Sequence, residues 1–395
     1  MNDLRKIRFP EATRAATVQP PVIPIVAEWT RDNPGTISMG QGVVSWGPPE
    51  NAYEGIDRFR EDVENHKYKL AQGIPALLEL IGEKLKDENG IHVDPKDRVF
   101  VTAGANMAFI NAVLAIADVG DEIILPAPFY FNHEMAVTML GCTPIVAPTD
   151  KNHQLDLDAL RSAITERSRA IVTISPNNPS GVVYPKKDLQ AVTALCREFG
   201  LFHISDEAYE YFTFDGASHF SPGSAKDADE HVISLFSLSK AYGFASWRIG
   251  YMVTPPQLID AVKKIQDTNL ICPPVVSQFA AFEAIRTGRA YCEEKLTDVR
   301  DVRNLVIERL AGWEKFATIA PAKGAFYFLL KIKTGLDSLS VTQRLIEEYK
   351  VAVIPGFAFG LTENCFLRIA YGVLDRSTCQ EALDRLEKGL SAITS

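Results

Sequence analysis

The stretch 98–148, RVFVTAGANMAFINAVLAIADVGDEIILPAPFYFNHEMAVTMLGCTPIVAP, alternates short apolar runs with longer ones of helical character. The runs RVFVTAG, EIILPAP and TPIVAP are β-branched and apolar without polar alternation, as strands covered on both faces must be. Between them ANMAFINAVLAIA and FNHEMAVTML read as amphipathic helices. The same beat continues through LDLDALRSAIT, RAIVTIS, KKDLQAVTALCREFG, LFHISDEA and HVISLFSLSK. Strands of this kind need helices on both sides, so the series predicts an α/β fold built on a doubly wound, mainly parallel sheet.

On the N-terminal side, the first 47 residues carry Pro10, Pro20, Pro21, Pro24 and Pro34 and then the glycine cluster MGQGVVSWG. They read as an irregular arm and a surface loop. Glu61 to Asp87 reads as helix with a break ahead of Pro75, which suits a first helical turn. On the C-terminal side, VSQFAAFEAIRTGRAYCEEKLTDVRDVRNLVIERLAG reads as long amphipathic helix. GAFYFLLKI, VAVIPG, CFLRIAYG and a final helix then make a smaller α+β domain. The expected division is an arm and part of the small domain over 1–46, a large domain over 47–290 and a small C-terminal domain over 291–395.

Composition narrows the function. The 395 residues are 46% hydrophobic and 23% charged, a globular balance with room for two domains. A net charge of −9 and the lack of any Lys/Arg run argue against nucleic acid as a partner. No apolar run is long enough for a membrane span, and MNDLRKIRFPEATRAATVQPP lacks the apolar core of a secretory leader. The six cysteines are scattered without CxxC, and no histidines stand at metal-ligand spacing, so reduced thiols, no metal site and a cytoplasmic location are expected.

Sites on doubly wound sheets lie beyond the carboxyl ends of the strands. Neither a phosphate-binding GxxxxGK[ST] loop, nor a GxGxxG fingerprint, nor a GxSxG elbow follows any strand here. The clusters that do are TAGAN, SPNNPSG, SDEAYEYF and SLSKAYGFASWRIG. Taken singly, each has an ordinary reading. Lys240 and Arg248 would be solvated or ion-paired, Asp206 and Tyr209 an acidic junction over core aromatics, and Asn178 a turn residue. Gly104 to Asn106 would be a plain helix start, although such a start also offers free N–H groups to an anion.

Their order changes the reading. GAN, PNNPSG, SDEAY, SLSKAYG, WRIGY and FLRIAYG, in this sequence and over nearly the whole chain, resemble the pyridoxal-phosphate enzymes of the class I/II aminotransferase family. The resemblance implies a fold type I large domain with a sheet of the seven-stranded type. It also implies pyridoxal 5'-phosphate as cofactor and transfer of the amino group of an L-amino acid to a 2-oxo acid. On it, Lys240 forms the Schiff base with the cofactor aldehyde and shuttles the substrate proton. Asp206 pairs with the pyridine nitrogen, while Tyr209 and Asn178 hydrogen-bond the ring hydroxyl. Ser237, Arg248 and the backbone at Gly104, Ala105 and Asn106 hold the phosphate, and Tyr130 stacks on the ring. Arg368 and the backbone at Gly42 bind the substrate carboxylate, with Asn178 beside them. Tyr68, in YKLAQG, matches a tyrosine that reaches the phosphate of the neighbouring subunit, which implies a homodimer with shared sites.

The same scaffold supports other chemistry, and a β- or γ-eliminating lyase, or an enzyme of the aminocyclopropane-carboxylate synthase type, is the alternative. MGQGVVSWG resembles the GQG opening of relatives that accept aromatic, methionine or glutamine-like substrates, but Val44 and Ser45 replace their Pro-Asp-like pair. Leu114 stands where some dicarboxylate-using relatives carry a lysine. Trp46 and Met39 suit either a large apolar substrate side chain or packing of the arm.

Overall fold

The computed structural model describes residues 11–394; residues 1–10, the opening of the expected arm, lie outside the described residues. The central sheet has seven strands: β1 (Val99–Thr102), β2 (Glu122–Ala127), β3 (Thr143–Pro148), β4 (Ser168–Ile174), β5 (Phe202–Asp206), β6 (Val232–Ser237) and β7 (Gly250–Val253). Their spatial order is β1-β7-β6-β5-β4-β2-β3. All neighbours run parallel except β7, which is antiparallel to both β1 and β6.

β1, β2 and β7 are buried along their whole length, as their unbroken apolar runs require. β3 differs. It pairs with β2 alone, and Ala147 is its one buried residue, so TPIVAP forms an edge strand with Val146 half exposed. Helices cover the sheet by the expected spacing. Lys186–Glu198, for example, buries Leu189, Val192, Thr193 and Cys196, one face of a helix.

Three further expectations need correction. The arm is not irregular throughout, because Val22–Asp32 is a helix with Pro21 as its cap and Pro24 in its first turn, where a missing N–H costs nothing. Glu61–Asp87 is not one broken helix. A helix ends there (Asn51–Glu61), the Asp62 carboxylate accepts the Glu64 N–H at 2.8 Å to start a short 3₁₀ turn over Val63–His66, and helix resumes only at Pro75–Lys84. The long helical run after residue 275 is two helices, Val275–Thr287 and Arg289–Leu310, divided at Gly288 with φ +79°. The first packs on Asn51–Glu61 closely enough that a Cβ on Gly55 would come 2.4 Å from the Phe279 carbonyl oxygen.

The smaller sheet is antiparallel and four-stranded: β8 (Ala317–Ile319), β9 (Tyr327–Ile332), β10 (Ile354–Pro355) and β11 (Phe366–Ala370), in the order β10-β11-β9-β8. Helices Ser338–Tyr349 and Arg376–Thr394 pack beside it. The arm joins this lobe. Ile37–Ser38 pairs in parallel with Val351–Ala352, and the Met39 carbonyl accepts the Ala370 N–H at 2.7 Å. Residues 40–42 then run on into a crevice between the two sheets. Among the described residues no helix is long and apolar enough to cross a membrane, and no three His, Cys, Asp or Glu side chains are grouped to hold a metal.

Candidate active site

The crevice opens at the carboxyl edge of the large sheet. Because β7 runs against its neighbours, it is the start of β7 that meets the ends of β1 and β6, with Gly250 opposite both Thr102 and Ser237. Arg248, just before β7, therefore lies between the β1 and β6 loops. Its Nη1 donates to the Ala245 carbonyl at 2.7 Å and its Nη2 to Ala103 at 3.2 Å. A Cβ on Gly104 (φ +80°) would stand 2.3 Å from Nη2, so glycine is what lets the guanidinium rest on this loop. Helix Ala105–Ile116 begins there without a side-chain cap, leaving first-turn N–H groups free at the cavity. The Ser237 hydroxyl, which accepts the Ser239 N–H at 3.1 Å, completes this cationic, donor-rich corner.

The end of β5 supplies Asp206, beside Ile174 of β4 and Leu235 of β6. Its Oδ1 accepts the Ala208 N–H at 3.0 Å, and its Oδ2 lies 3.2 Å from His133 Nε2. His133 stacks on Phe109 with ring centroids 4.0 Å apart and meets the Tyr130 ring edge-on at 5.3 Å. Its Nδ1 is buried with no partner among the described residues. The Asn132 amide donates to the Tyr130 hydroxyl at 2.7 Å, and burial raises the pKa of that phenol.

Lys240 follows β6 on the short helix Leu238–Ala241, and its Nζ donates to the Gly42 carbonyl at 2.5 Å. Burial first, then the nearby guanidiniums of Arg368 and Arg248, bring its pKa from 10.5 down to about 8. Arg368 belongs to β11 of the small sheet and is fully buried. Its Nη1 donates to Asn178 Oδ1 at 2.9 Å and its Nη2 to the Gly40 carbonyl at 2.5 Å. The rings of Tyr327 and Phe359 flank it, 4.7 and 5.2 Å from the guanidinium carbon, and its Nε has no partner among the described residues. Tyr209, past β5, meets Tyr327 hydroxyl to hydroxyl at 2.6 Å.

A cavity of about 650 Å³ collects these groups. Gly42, Ala105, Asn106, Tyr130, Asn178, Asp206, Tyr209, Ser237, Lys240, Arg248 and Arg368 all line it, and Gly104 lies directly behind Arg248. Tyr68 does not. It sits in the irregular segment after Val63–His66 and is 78% exposed.

Sequence reading missed Tyr327, His133 and the apolar wall formed by Ile23, Val43 and Phe131. Ile23 was hidden in a segment read as irregular, and a lone histidine or tyrosine carries no spacing signal. Neither Trp46 nor Met39 lines the cavity. Trp46 donates to the Ala241 carbonyl at 3.3 Å and stacks on Phe212, and Met39 is wholly buried in the core. Leu114 lies part-exposed on the helix behind Gly104.

Residues 34–386 match the family model of aminotransferase class I and II. The aromatic-amino-acid aminotransferase 2 of Thermococcus litoralis is 34% identical over 90% of this chain and 92% of its own length. The aspartate aminotransferase of Pyrococcus abyssi is 35% identical over 90% and 91%. The Thermus thermophilus aspartate aminotransferase solved with maleate superposes with a TM-score of 0.89 at 30% identity, covering 97% of this chain and all of that one.

Proposed function

Because this chain belongs to the aminotransferase class I and II family and is a pyridoxal-phosphate-dependent transaminase, we propose that Lys240 is its proton-transferring residue and that its substrate is an amino acid with a large neutral or aromatic side chain. One observation carries the first part. The Lys240 amine, depressed to about 8, shares a cavity with a buried carboxylate on one side and a donor-rich anion seat on the other.

The residues fit the cofactor. The uncapped helix start, Arg248 and Ser237 suit a dianionic phosphate. When bound, pyridoxal phosphate supplies an aldehyde that captures the substrate amine and a ring that takes up the electrons released at the α-carbon. The protein does the rest. Asp206, braced by the Ala208 N–H and His133, would hold a positive charge at the pyridine nitrogen. Tyr130 would wall one face of the ring, and Tyr209 and Asn178 would hydrogen-bond its hydroxyl. Lys240 Nζ, partly neutral near pH 8, would serve as the base that takes the substrate α-proton and as the acid that gives it back. The Arg368 guanidinium, its free Nε included, binds the α-carboxylate beside Gly42.

The second part rests on the wall. Lys240, Arg248 and Arg368 are the cations lining the cavity among the described residues, and each already has a role in it. Ile23, Val43 and Phe131 face the remaining space. An apolar or aromatic side chain therefore gains contact there, while a second carboxylate within this chain's own cavity finds no free cation.

Several wider features belong to this reading: lobes dividing near residues 47 and 290, a cytoplasmic enzyme of amino-acid biosynthesis, and a two-fold homodimer in which the exposed Tyr68 completes the partner's phosphate seat. Borohydride reduction and peptide mapping test the first part, and a cofactor label on any lysine other than Lys240 overturns it. Half-reaction spectroscopy across twenty amino acids tests the second, with aspartate outrunning phenylalanine as the contrary result.

A further inference from the structure

Tyr327 touches three parts of the site at once. It is fully buried on β9, opposite Ala370, and Leu329 of the same strand faces Arg368, so Tyr327 and Arg368 are diagonal neighbours on the small sheet. Its ring lies under the Arg368 guanidinium at 4.7 Å. Its hydroxyl meets that of Tyr209 at 2.6 Å. It also fills the space where Gly42 would carry a Cβ, only 2.4 Å away, and Gly42 is the residue whose carbonyl holds Lys240. One small-lobe side chain thus contacts the carboxylate-binding arginine, the ring-hydroxyl tyrosine and the loop that holds the amine.

We propose that Tyr327 is a positioning residue that donates its hydroxyl proton to Tyr209, so that the Tyr209 proton is committed to the cofactor's ring oxygen. The proposal rests on the cofactor roles given above. Proton accounting carries the direction. The tyrosine pair shares one hydrogen bond, and no other polar partner of either hydroxyl is present among the described residues. Burial keeps both phenols protonated, pushing Tyr327 up to about 12 and raising Tyr209 as well. If Tyr209 gives its proton to the ring oxygen, only Tyr327 can be the donor between them. A hydroxyl that accepts one bond while donating another is a stronger donor.

A hydrogen bond to the ring oxygen favours the deprotonated, more negative form of the bound chromophore. The test is a pH titration of the visible absorbance of the loaded enzyme for wild type, Tyr327→Phe, Tyr209→Phe and the double variant. Tyr327→Phe keeps the ring under Arg368. It should raise the absorbance midpoint by about half a pH unit, roughly a threefold change in the proton equilibrium. Its kcat should fall while KM for the amino acid stays near wild type. Tyr209→Phe should raise the midpoint further, and the double variant should match Tyr209→Phe alone, because the relay acts only through Tyr209. An unmoved midpoint in Tyr327→Phe, or a double variant whose shift is the sum of the singles, overturns the relay while leaving the Tyr209 role standing. An unmoved midpoint in Tyr209→Phe removes both.

Discussion

Lys240 carries an amine that burial and two guanidiniums depress from 10.5 to about 8, so at pH 7 the folded cofactor-free chain holds a cation it disfavours. The unfolded chain keeps its proton up to 10.5, so the penalty is fully present below about 8 and fades as pH rises through that window. Lys240→Met should therefore abolish transamination yet stabilise the cofactor-free chain at pH 7 by about 2 kcal/mol, a figure discounted for partial exposure. Denaturant unfolding at pH 7 and again above pH 10 checks it, since an equal gain at both values contradicts the linkage. Arg368→Lys tests the other charge. A point ammonium cannot reproduce the fork that meets Asn178 and Gly40, so if Arg368 also grips the substrate carboxylate as proposed, kcat/KM for α-amino acids should fall by about a hundredfold or more. At this scale the sequence spoke through order. Asp206, Lys240 and Arg248 were legible because their types recur in a fixed succession, each at the mouth of a strand. Tyr327 and His133 were not, because what gives them meaning is the β9–β11 register and a stack on Phe109, neither of which is local in sequence.

Among the elements, legibility followed burial. Runs covered on both faces announced β1 and β2, while β3 was read as buried from the same kind of run and proved an edge. Which strand ends a sheet depends on pairing order, and a strand's own residues do not encode that. Proline misled in the arm, where position within the helix mattered more than presence: Pro24 in a first turn breaks nothing. The contact of helix Asn51–Glu61 with Val275–Thr287 gives a prediction at this scale. Gly55→Ala drives a methyl toward the Phe279 carbonyl, which as backbone cannot turn aside, and should cost about 1–3 kcal/mol of unfolding free energy. Asp337, which accepts the Leu339 and Ser340 N–H groups at 3.0 and 2.9 Å, caps helix Ser338–Tyr349. Asp337→Ala should cost about 1 kcal/mol and leave kinetics untouched. A Gly55→Ala chain as stable as wild type would mean that the two helices slide apart without penalty.

For the whole molecule, the expected two-fold dimer makes a quantitative prediction. A hybrid of one Lys240→Ala chain with one Tyr68→Ala chain should regain about half of wild-type activity, because both lesions then fall in one site and the other is intact. A hybrid as poor as its parents would mean that Tyr68 serves its own chain, and a monomer in sedimentation would remove the shared site altogether.

The arm's seat on the small lobe bears on when the protein begins to work. Gly40 and Arg368 stand 328 positions apart along the chain, yet one holds the other. During synthesis the arm leaves the ribosome first and waits roughly half a minute for the strands that receive it, at common elongation rates. Until β11 emerges Arg368 is missing, so on the proposed reading a nascent or truncated chain has no clamp for a substrate carboxylate. On that reading the site is completed only near the end of translation.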